Sequence, residues 1–472
     1  MNYKIFKMLK RLKVKNFRSL KDFEIEFGKF NVLIGTNNSG KSNIIDVLNF
    51  ISEGFNENLE SLFNRRGGYK NVVFGKNDEN NIEIEAEGEE DNFSFIYYVC
   101  ISGKYEQIKI NDEKLIIKNK DLEELLKQKG FENFRNEFEF GSEGAYRLSP
   151  KLFGKSLLKR IPKENEMLLQ IDLSIKENIK KDENGQLSVK LFPMRMLFPE
   201  FFYVNLDSDI HTTLVDMLLS IVKRENFKEF AGEKSEGRQS LFVPAKYEIE
   251  DIIKIIETGL KGIVKFFNTV KISTYNFVPY LIKKEIPDAF VEKPVVLKTE
   301  GNNLSLVLLN LLQEDRKKFD RIQELLSGVI GGIEEIRPVV EGNKVYLKIK
   351  EKNFDNDFQV WTLADGTISL LAHITAIQVA SNKTLCFEEP ENHIHMRLLE
   401  FIFELLKKSE KQIIISTHSP YFIDYCDPED LIIVEKEKGE TKTRKIKNIE
   451  KLTEFLDKSG MSLGEAYYSK RV

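Results

Sequence analysis

The segment that decides the fold is Gly35-Thr36-Asn37-Asn38-Ser39-Gly40-Lys41-Ser42. It matches the pattern G-x-x-x-x-G-K-S/T, in which glycines let the backbone curl until successive N–H groups point at phosphate oxygens. We expect Lys41 to place a positive charge at the β- and γ-phosphates of a nucleotide, and the Ser42 hydroxyl to bind Mg²⁺. The apolar run 30–34 and the helical spacing of apolar residues in 42–51 predict a strand before the loop and a helix after it. This order puts the positive end of the helix dipole beneath the phosphates. The candidate nucleotide-binding residues of the loop are Gly35, Asn37, Asn38, Ser39, Gly40, Lys41 and Ser42.

Length and charge limit the classes of protein to consider. The chain has 472 residues, of which 41% are apolar, so it is long enough for two or three structural units with their own cores. Its net charge is −4 and no block of like charge dominates, so the composition indicates no global affinity for nucleic acid or acidic lipid. Basic residues are concentrated only in the first twenty positions, which we interpret as a strand with lysines on its solvent face; the alternative is a DNA-binding arm. These basic residues are Lys4, Lys7, Lys10, Arg11, Lys13, Lys15 and Arg18.

The cysteines and the hydropathy pattern indicate a cytoplasmic protein. Cys100, Cys386 and Cys426 have no metal-ligand spacing, and an odd number of scattered cysteines is typical of reduced thiols. The basic N-terminus is not followed by the apolar stretch of a secretory signal. No apolar run approaches the roughly 20 residues that a membrane-spanning helix needs, so we expect no membrane partner.

The periodicity of the apolar residues divides the chain into three parts. Within residues 11–118, runs that alternate with period two lie on both sides of the phosphate loop and predict half-buried strands. Residues 1–118 are therefore predicted to form the N-terminal half of a nucleotide-binding core. Residues 119–335 are mostly of helical pattern and are predicted to be an insertion. Residues 336–472 return to strands that alternate with helices and form the C-terminal half of the core. The helices predicted in the second and third parts cover 121–129, 213–222, 252–267, 303–312, 319–329, 366–380 and 391–408. The buried strands predicted in the third part cover 383–387, 412–416 and 431–435.

Two neighbouring carboxylates follow the first of these buried strands. Ligands bind at the carboxyl ends of strands in open α/β sheets, and Glu388 and Glu389 stand at such an end. We expect Glu388 to reach the Mg²⁺ shell through water and Glu389 to polarise the attacking water. His418 follows the next buried strand and could bind a γ-phosphate oxygen or that water. The predicted catalytic residues are therefore Glu389, His418 and Lys41; a solvated turn is the alternative interpretation of the glutamate pair.

A second anion site is predicted at the start of the helix near residue 366. Asp365 and Gly366 offer backbone N–H groups and the positive end of a helix dipole. With the phosphate loop, the glutamate pair and the histidine, this segment is typical of ATPases of the ATP-binding-cassette (ABC) type. In those enzymes the signature helix of one subunit closes on ATP held by the phosphate loop of the other. The pattern therefore predicts ATP and Mg²⁺ as ligands, and a homodimer or higher oligomer.

The motifs resemble those of predicted AAA/ABC-type ATPases related to RecF, SMC and the OLD nucleases. The resemblance implies an α/β fold of the ABC type, with a mixed sheet core, an antiparallel β subdomain and a large, mostly helical insertion. It also implies that Arg18, the basic residue of an N-F-K/R-S/C motif, lies near the nucleotide. The segments that carry the resemblance are 16–19, 35–42, 299–304, 363–367, 388–391, 416–420 and 463–468.

Two positions depart from the family pattern. Ala364 stands where the signature serine would donate a hydrogen bond to the partner's γ-phosphate, so either turnover is slower or the backbone around Gly366 suffices. The segment 69–74 lacks the usual glutamine that links the nucleotide to the inserted domain. OLD-type nucleases also carry a nuclease domain after the segment that corresponds to residues 416–420 here. The 54 residues that follow His418 in this chain (472 minus 418) hold no further acidic metal constellation. We therefore expect a stand-alone ATPase that acts with a separately encoded effector.

Three functions remain open at this point. The leading one is an ATP-driven dimerisation switch in anti-phage defence or DNA maintenance, with DNA as a candidate partner. The second is a non-hydrolysing module that binds nucleotide or DNA structurally. The third is a metal hydrolase that uses Glu391, His393 and His395, although two rings with period-two spacing would diverge on a helix.

Overall fold

The computed structural model describes the two ends of the chain and part of its centre. The described residues are 8–55, 57–104, 107–121, 124, 265–284, 295–342 and 344–471, with the backbone of 137–141, 180–181, 187–188 and 286–287. The helices predicted over 121–129, 213–222 and 252–267 lie wholly or mostly outside these residues. Within the described part of the chain, no helix has the length and apolar character to span a bilayer.

The chain forms two compact units that are interleaved in sequence. The first unit comprises Met1–Arg18 and Phe50–Val270, and the second comprises Ser19–Asn49 and Lys271–Val472. The second unit therefore contains the phosphate loop, the glutamate pair, His418 and the signature, whereas Arg18 belongs to the first. The three-part division predicted at residues 118 and 335 stays a prediction.

Eighteen strands are present in the described residues. In chain order they are β1 (Met8–Phe17), β2 (Leu20–Glu26), β3 (Phe30–Ile34), β4 (Ile82–Glu90), β5 (Phe93–Ser102), β6 (Lys109–Asn119), β7 (Glu137–Gly141), β8 (Lys180–Lys181), β9 (Leu187–Ser188), β10 (Ile272–Tyr275), β11 (Ile286–Pro287), β12 (Ile333–Glu341), β13 (Lys344–Glu351), β14 (Phe358–Gln359), β15 (Thr384–Glu388), β16 (Gln412–Thr417), β17 (Leu431–Glu437) and β18 (Glu440–Lys445). The helices with full bounds are α1 (Lys41–Gly54), α2 (Leu59–Arg65), α3 (Tyr69–Val72), α4 (Pro279–Ile282), α5 (Leu304–Glu314), α6 (Arg316–Val329), α7 (Asp365–Val379), α8 (Met396–Lys407), α9 (Pro420–Ile423), α10 (Ile449–Ser459) and α11 (Leu463–Tyr468).

The first unit is built on an antiparallel sheet in the order β1-β4-β5-β6-β7. Burial alternates along β4, as expected for strands with one solvated face. On that face the basic residues of β1 meet a row of glutamates on β4. The pairs are Lys10–Glu89 (2.8 Å), Arg11–Glu87, Lys13–Glu85 (3.1 Å) and Lys15–Glu83 (3.0 Å). Four of the seven basic residues thus lie on a strand where carboxylates match them, which favours the solvent-face interpretation over a DNA-binding arm. Lys4 and Lys7 lie outside the described residues.

The second unit is built on a mixed sheet in the order β10-β15-β16-β3-β17-β18. The first five strands are parallel and β18 is antiparallel to β17. Strands β3, β15 and β16 are buried along nearly their whole length, as is typical of parallel strands covered on both faces. The register aligns Glu388 with Ser416 and Thr417 with Ile34. The segments that follow β15, β16 and β3 therefore leave the sheet at one edge, side by side.

A smaller antiparallel sheet, β11-β13-β12 with β14 beside β13, belongs to the same unit, as do α5 and α6. Phe319, Ile322 and Leu326 of the predicted 319–329 stripe are buried on α6. The helix predicted from residue 303 begins at Leu304, but the Asn303 side chain does not cap it. Instead Asn303 accepts a hydrogen bond from the N–H of Lys298 (2.9 Å) and donates one to the carbonyl of Val296 (2.8 Å). The side chain therefore closes the loop before the helix.

One predicted helix begins later than the sequence pattern indicated. The helix expected over 391–408 is α8, which begins at Met396, so the prediction is wrong for 391–395. Residues 389–395 form a loop in which Glu389 and His393 have positive φ angles of 47° and 65°. Non-glycine residues seldom adopt this conformation, and hydrophobic periodicity does not reveal it.

Candidate active site

The phosphate loop connects β3 to α1 and needs glycine at both of its conserved-pattern positions. A Cβ at Gly35 would lie 2.4 Å from the Val434 carbonyl oxygen, and one at Gly40 would lie 2.0 Å from Thr441 Oγ1. Gly40 also has a φ of +111°, which disfavours any other residue. Space and backbone conformation together therefore fit a curled, phosphate-binding loop.

Lys41 is buried within this loop. Its Nζ donates hydrogen bonds to the carbonyls of Gly35 (2.7 Å) and Thr36 (3.2 Å). Burial lowers the pKa of Lys41, and the charges of Glu389 and Glu391 act in the opposite direction. The lysine thus stands in the field of the predicted catalytic carboxylate, where a triphosphate would supply the negative charge that a buried cation needs.

Three hydrogen bonds in series link Asn43, Ser19 and Thr441 to the backbone of the phosphate loop at Ser39. Asn43 Nδ2 donates to Ser19 Oγ (2.6 Å), and Ser19 Oγ lies 2.6 Å from Thr441 Oγ1. Thr441 Oγ1 donates to the carbonyl of Ser39 (3.0 Å), so its single hydroxyl proton is used and Ser19 must donate to Thr441. Ser19 and Thr441 are both buried. Sequence reasoning missed Thr441, which is separated from the loop by about four hundred residues.

A second cation lies at the mouth of the loop. Lys436, at the end of β17, donates from Nζ to Asn38 Oδ1 at 3.2 Å, and both side chains are exposed. Sequence reasoning assigned Asn38 to the nucleotide and missed Lys436. The lysine adds positive charge beside the exposed residues Asn37 and Asn38.

Ser42 and Glu388 form the predicted Mg²⁺ pair. The Ser42 hydroxyl hydrogen-bonds to the Glu388 carboxylate. Burial raises the pKa of Glu388, Ser42 lowers it, and the neighbouring carboxylates of Glu389 and Asp46 raise it further. In the described residues no group of three His, Cys, Asp or Glu side chains could hold a metal by itself. This sparse set of oxygen donors fits Mg²⁺, which is usually held by one or two protein side chains together with substrate phosphates. Because Glu391, His393 and His395 do not form such a group of three either, the structure does not support a hydrolytic metal centre on these residues.

The carboxylate of Glu389 is held from two sides. Asn392 Nδ2 donates to Glu389 Oε2 (2.8 Å), and His418 Nδ1 lies 3.0 Å from Glu389 Oε1. The backbone N–H of Glu389 donates to the carbonyl of Ser416 (2.8 Å), which ties the glutamate to the end of β16. An ionised carboxylate only accepts hydrogen bonds, so in the contact between His418 and Glu389 we assign the proton to His418 Nδ1. That assignment leaves His418 Nε2 as the ring atom for a substrate or water.

Glu391 supports the same loop from inside. It accepts a hydrogen bond from Thr417 Oγ1 through Oε1, while its Oε2 is buried without a hydrogen-bond partner among the described residues. Burial raises the pKa of Glu391, and the hydrogen bond from Thr417 acts against that rise. Sequence reasoning placed Glu391 in the segment 388–391 that carries the family resemblance and considered it as a metal ligand; its contact with Thr417 was not predicted.

The signature segment opens α7. Ala364 occupies the N-cap position and makes no side-chain cap. Lys283 Nζ donates to the Leu363 carbonyl (2.6 Å) and pairs with Asp365 Oδ1 (2.5 Å). A Cβ at Gly366 would lie 2.8 Å from the carbonyl oxygen of His393, so glycine lets the signature approach the loop that follows Glu389. Within the described residues neither Asp365 nor Gly366 hydrogen-bonds to the phosphate loop of the same chain.

Arg18 is the predicted site residue that lies in the first unit. It has a positive φ of 50°, and its backbone N–H donates to the carbonyl of Val72 (2.5 Å). Its assignment to the nucleotide stays a prediction.

Comparison with known families decides the class of the protein. The family model described as "AAA domain, putative AbiEii toxin, Type IV TA system" matches residues 30–173 and 287–424, more than half of the chain. The chain belongs to this family. The matched stretches include the phosphate loop, the signature, the glutamate pair and His418. Together with the sheet described above, this membership confirms the predicted ABC-type P-loop fold and the predicted resemblance to AAA/ABC-type ATPases. No curated protein matches the sequence.

Solved structures of SMC head domains are distantly similar to this chain. The Smc head domain from Pyrococcus furiosus, with an extended coiled coil and bound to the C-terminal domain of ScpA, is 14% identical; the alignment covers 97% of this chain and 100% of that chain, with a TM-score of 0.42. The head domain with a coiled coil and joint from Pyrococcus yayanosii is also 14% identical, with 97% and 100% covered and a TM-score of 0.38. The head domain from Thermotoga maritima is 12% identical, with 93% and 99% covered and a TM-score of 0.35.

Proposed function

We propose that the protein binds ATP with Mg²⁺ and hydrolyses it to ADP and phosphate. The observation that carries this proposal is the carboxylate of Glu389, held by Asn392 and His418 beside the Ser42–Glu388 pair. A site that only stored a nucleotide would have no use for a carboxylate oriented in this way.

Each group of the site has a separate task in this reaction. The loop N–H groups and Lys41 bind the β- and γ-phosphates, and Ser42 and Glu388 would hold Mg²⁺, which when bound offsets the phosphate charge. Glu389 accepts a proton from water as the water oxygen attacks the γ-phosphorus. The bond from that phosphorus to the β,γ-bridging oxygen breaks, and its electron pair leaves with ADP. His418 keeps Glu389 oriented through Nδ1 and offers Nε2 to the γ-phosphate or the water.

The same proposal includes a dimer as the working form. Asp365 and Gly366 open a helix of fifteen residues, and within the described residues neither of them hydrogen-bonds to the phosphate loop of its own chain. We propose that they cover the γ-phosphate of ATP bound to a second copy, so that ATP closes two chains together and hydrolysis releases them. Higher oligomers built from the same interface are equally consistent with this arrangement.

The biological role that we propose depends on this ATPase activity and on the dimer. The family description names a putative toxin of a type IV toxin–antitoxin system, and we propose anti-phage defence or DNA maintenance as the role of this chain. We propose that it acts in the cytoplasm, where its three buried thiols stay reduced, and that a separately encoded effector responds to the ATP-bound state. DNA remains a candidate partner.

Sedimentation of the Glu389→Gln variant tests the switch. The variant should bind ATP and Mg²⁺ without hydrolysing it, and ATP should therefore drive it into a larger species. The matched control is the double variant Lys41→Ala/Glu389→Gln, which should not respond to ATP. If ATP creates no inter-subunit contact in the single variant, the dimerisation switch is wrong.

Phosphate release separates hydrolysis from structural binding. The wild-type chain should release phosphate from ATP, and Lys41→Ala and Glu389→Gln should each abolish the release. A rate that is the same in the wild type and in Lys41→Ala would indicate a contaminating activity and favour a non-hydrolysing module.

A further inference from the structure

The C-terminal helix contacts the segment that carries His418. Tyr468, the last residue of α11, donates a hydrogen bond from its hydroxyl to the backbone carbonyl of His418. The tyrosine is 47% exposed, so its ring is not needed to fill a core. Burial and the nearby Glu391 carboxylate both raise the pKa of Tyr468, which keeps the hydroxyl protonated as a donor.

The helix that presents Tyr468 is anchored independently of this contact. Ser462 and Glu465 form a reciprocal capping box at its start. The Gly464 N–H donates to Asp424 Oδ1 (2.7 Å), and a Cβ at Gly464 would lie 2.3 Å from the Pro420 carbonyl oxygen. Glycine at this position therefore lets α11 pack closely against α9, which begins two residues after His418. Because Tyr468 is on the same helix, this packing sets the position of its hydroxyl.

The residues on either side of His418 in the chain, Thr417 and Ser419, make hydrogen bonds of their own. Thr417 Oγ1 accepts a hydrogen bond from the Ser419 N–H (3.0 Å) and donates one to Glu391. The backbone carbonyl of His418, between these two residues, accepts the hydrogen bond from Tyr468. With its backbone held, the imidazole meets Glu389 at 3.0 Å.

We infer that Tyr468 is a positioning residue for hydrolysis, which holds the His418 backbone so that the imidazole stays against Glu389. The inference rests on the proposed ATPase function. If this holds, the position of α11 affects the rate of hydrolysis, because a displacement of α11 would break the hydrogen bond from Tyr468 to the His418 carbonyl. Tyr468 does not touch substrate in this scheme and acts only through His418.

The test is a set of single and double variants measured for steady-state hydrolysis. Tyr468→Phe keeps the ring and removes one hydrogen-bond donor, so we expect kcat to fall about fivefold with the KM for ATP unchanged. The matched control is Tyr467→Phe, because Tyr467 precedes it on the same helix, packs edge to face against it (5.1 Å between ring centroids) and likewise loses only a hydroxyl. In a His418→Ala background, Tyr468→Phe should have no further effect on kcat, since the residue through which it acts is gone.

A second readout needs no turnover. Amide hydrogen exchange over residues 416–420 should be faster in Tyr468→Phe than in the wild type or Tyr467→Phe, with or without ATP. An unchanged kcat together with unchanged exchange would overturn the inference, as would an equal loss of kcat in the His418→Ala background. A wild-type chain without ATPase activity would instead refute the proposed function, and the exchange measurement would still decide whether Tyr468 holds the segment.

Discussion

Buried His373 makes the stability of the second unit depend on pH in a calculable way. This histidine lies on α7 with 3% of its surface exposed. Its ring stacks on Phe387 (5.6 Å between centroids) and meets Phe277 edge to face (4.8 Å), and Nδ1 lies 2.7 Å from the Ser369 carbonyl. Burial lowers the pKa of His373 from 6.5 to about 4. Phe387 lies on β15, the strand that ends at Glu388, so the ring packs against the strand that leads to the two glutamates.

The sign follows from which state binds more protons. Between pH 6.5 and about 4 the unfolded chain holds a proton on this histidine and the folded chain does not, so stability falls as the pH falls through that window. Over this whole window the free energy of unfolding falls by about 3 kcal/mol, because each unit of difference between the unfolded and folded pKa values is worth about 1.4 kcal/mol. Between pH 7.5 and pH 5 the expected loss is about 2 kcal/mol.

Urea unfolding of wild type and His373→Phe measures this directly. Phenylalanine keeps a flat ring between Phe277 and Phe387 but cannot take up a proton, and the carboxylates that also titrate are present in both chains. The free energy of unfolding should therefore drop by about 2 kcal/mol more in the wild type than in the variant between pH 7.5 and pH 5. Parallel losses in the two proteins would refute the argument that burial of this ring controls its protonation.

Three further experiments probe the site. Thr441→Val removes the hydroxyl that donates to the Ser39 carbonyl, so calorimetry should show weaker ATP binding, and unfolding should become easier by about 1–3 kcal/mol; unchanged affinity would show that the loop does not need this support. Ala364→Ser restores a donor at the exposed start of the signature, and phosphate release should become about fivefold faster; an unchanged rate would mean that the backbone suffices. Ala364→Glu and Lys41→Ala should each be inactive alone, but mixing them should restore up to about a quarter of the wild-type rate, because half the dimers are mixed and each holds one intact site. No recovery on mixing would argue against sites shared between two chains.

Much of the second unit could be predicted from its sequence because its signals are local. The phosphate loop needs a strand, glycines and a helix in one short stretch, and a single window of sequence contains all three. Strands such as β15 and β16 are continuous apolar runs, and the polar residues that follow them mark the edge where the site forms. The order of elements was enough to place Glu389 and His418 directly after two buried strands, and the structure brings their side chains within 3.0 Å.

The remainder depends on contacts between distant parts of the chain or on unusual backbone. Thr441 reaches the loop at Ser39, and Tyr468 reaches His418; neither has a local pattern that marks it as part of a site. The late start of α8 reflects the positive φ angles of Glu389 and His393, which a helical spacing of apolar residues cannot disclose. Likewise, the sequence could not decide whether the seven basic residues near the N-terminus form a solvent-exposed strand face or a DNA-binding arm, because the glutamates that pair with four of them lie on β4, about 70 residues away.

The most direct test of the shared site is a structure of the Glu389→Gln variant with ATP and Mg²⁺. We expect two chains around two nucleotides, with Gly366 of one chain in van der Waals contact with the γ-phosphate held by Lys41 of the other. If Gly366 lies far from every nucleotide in each assembly observed, ATP does not join two copies and the switch that we propose does not exist.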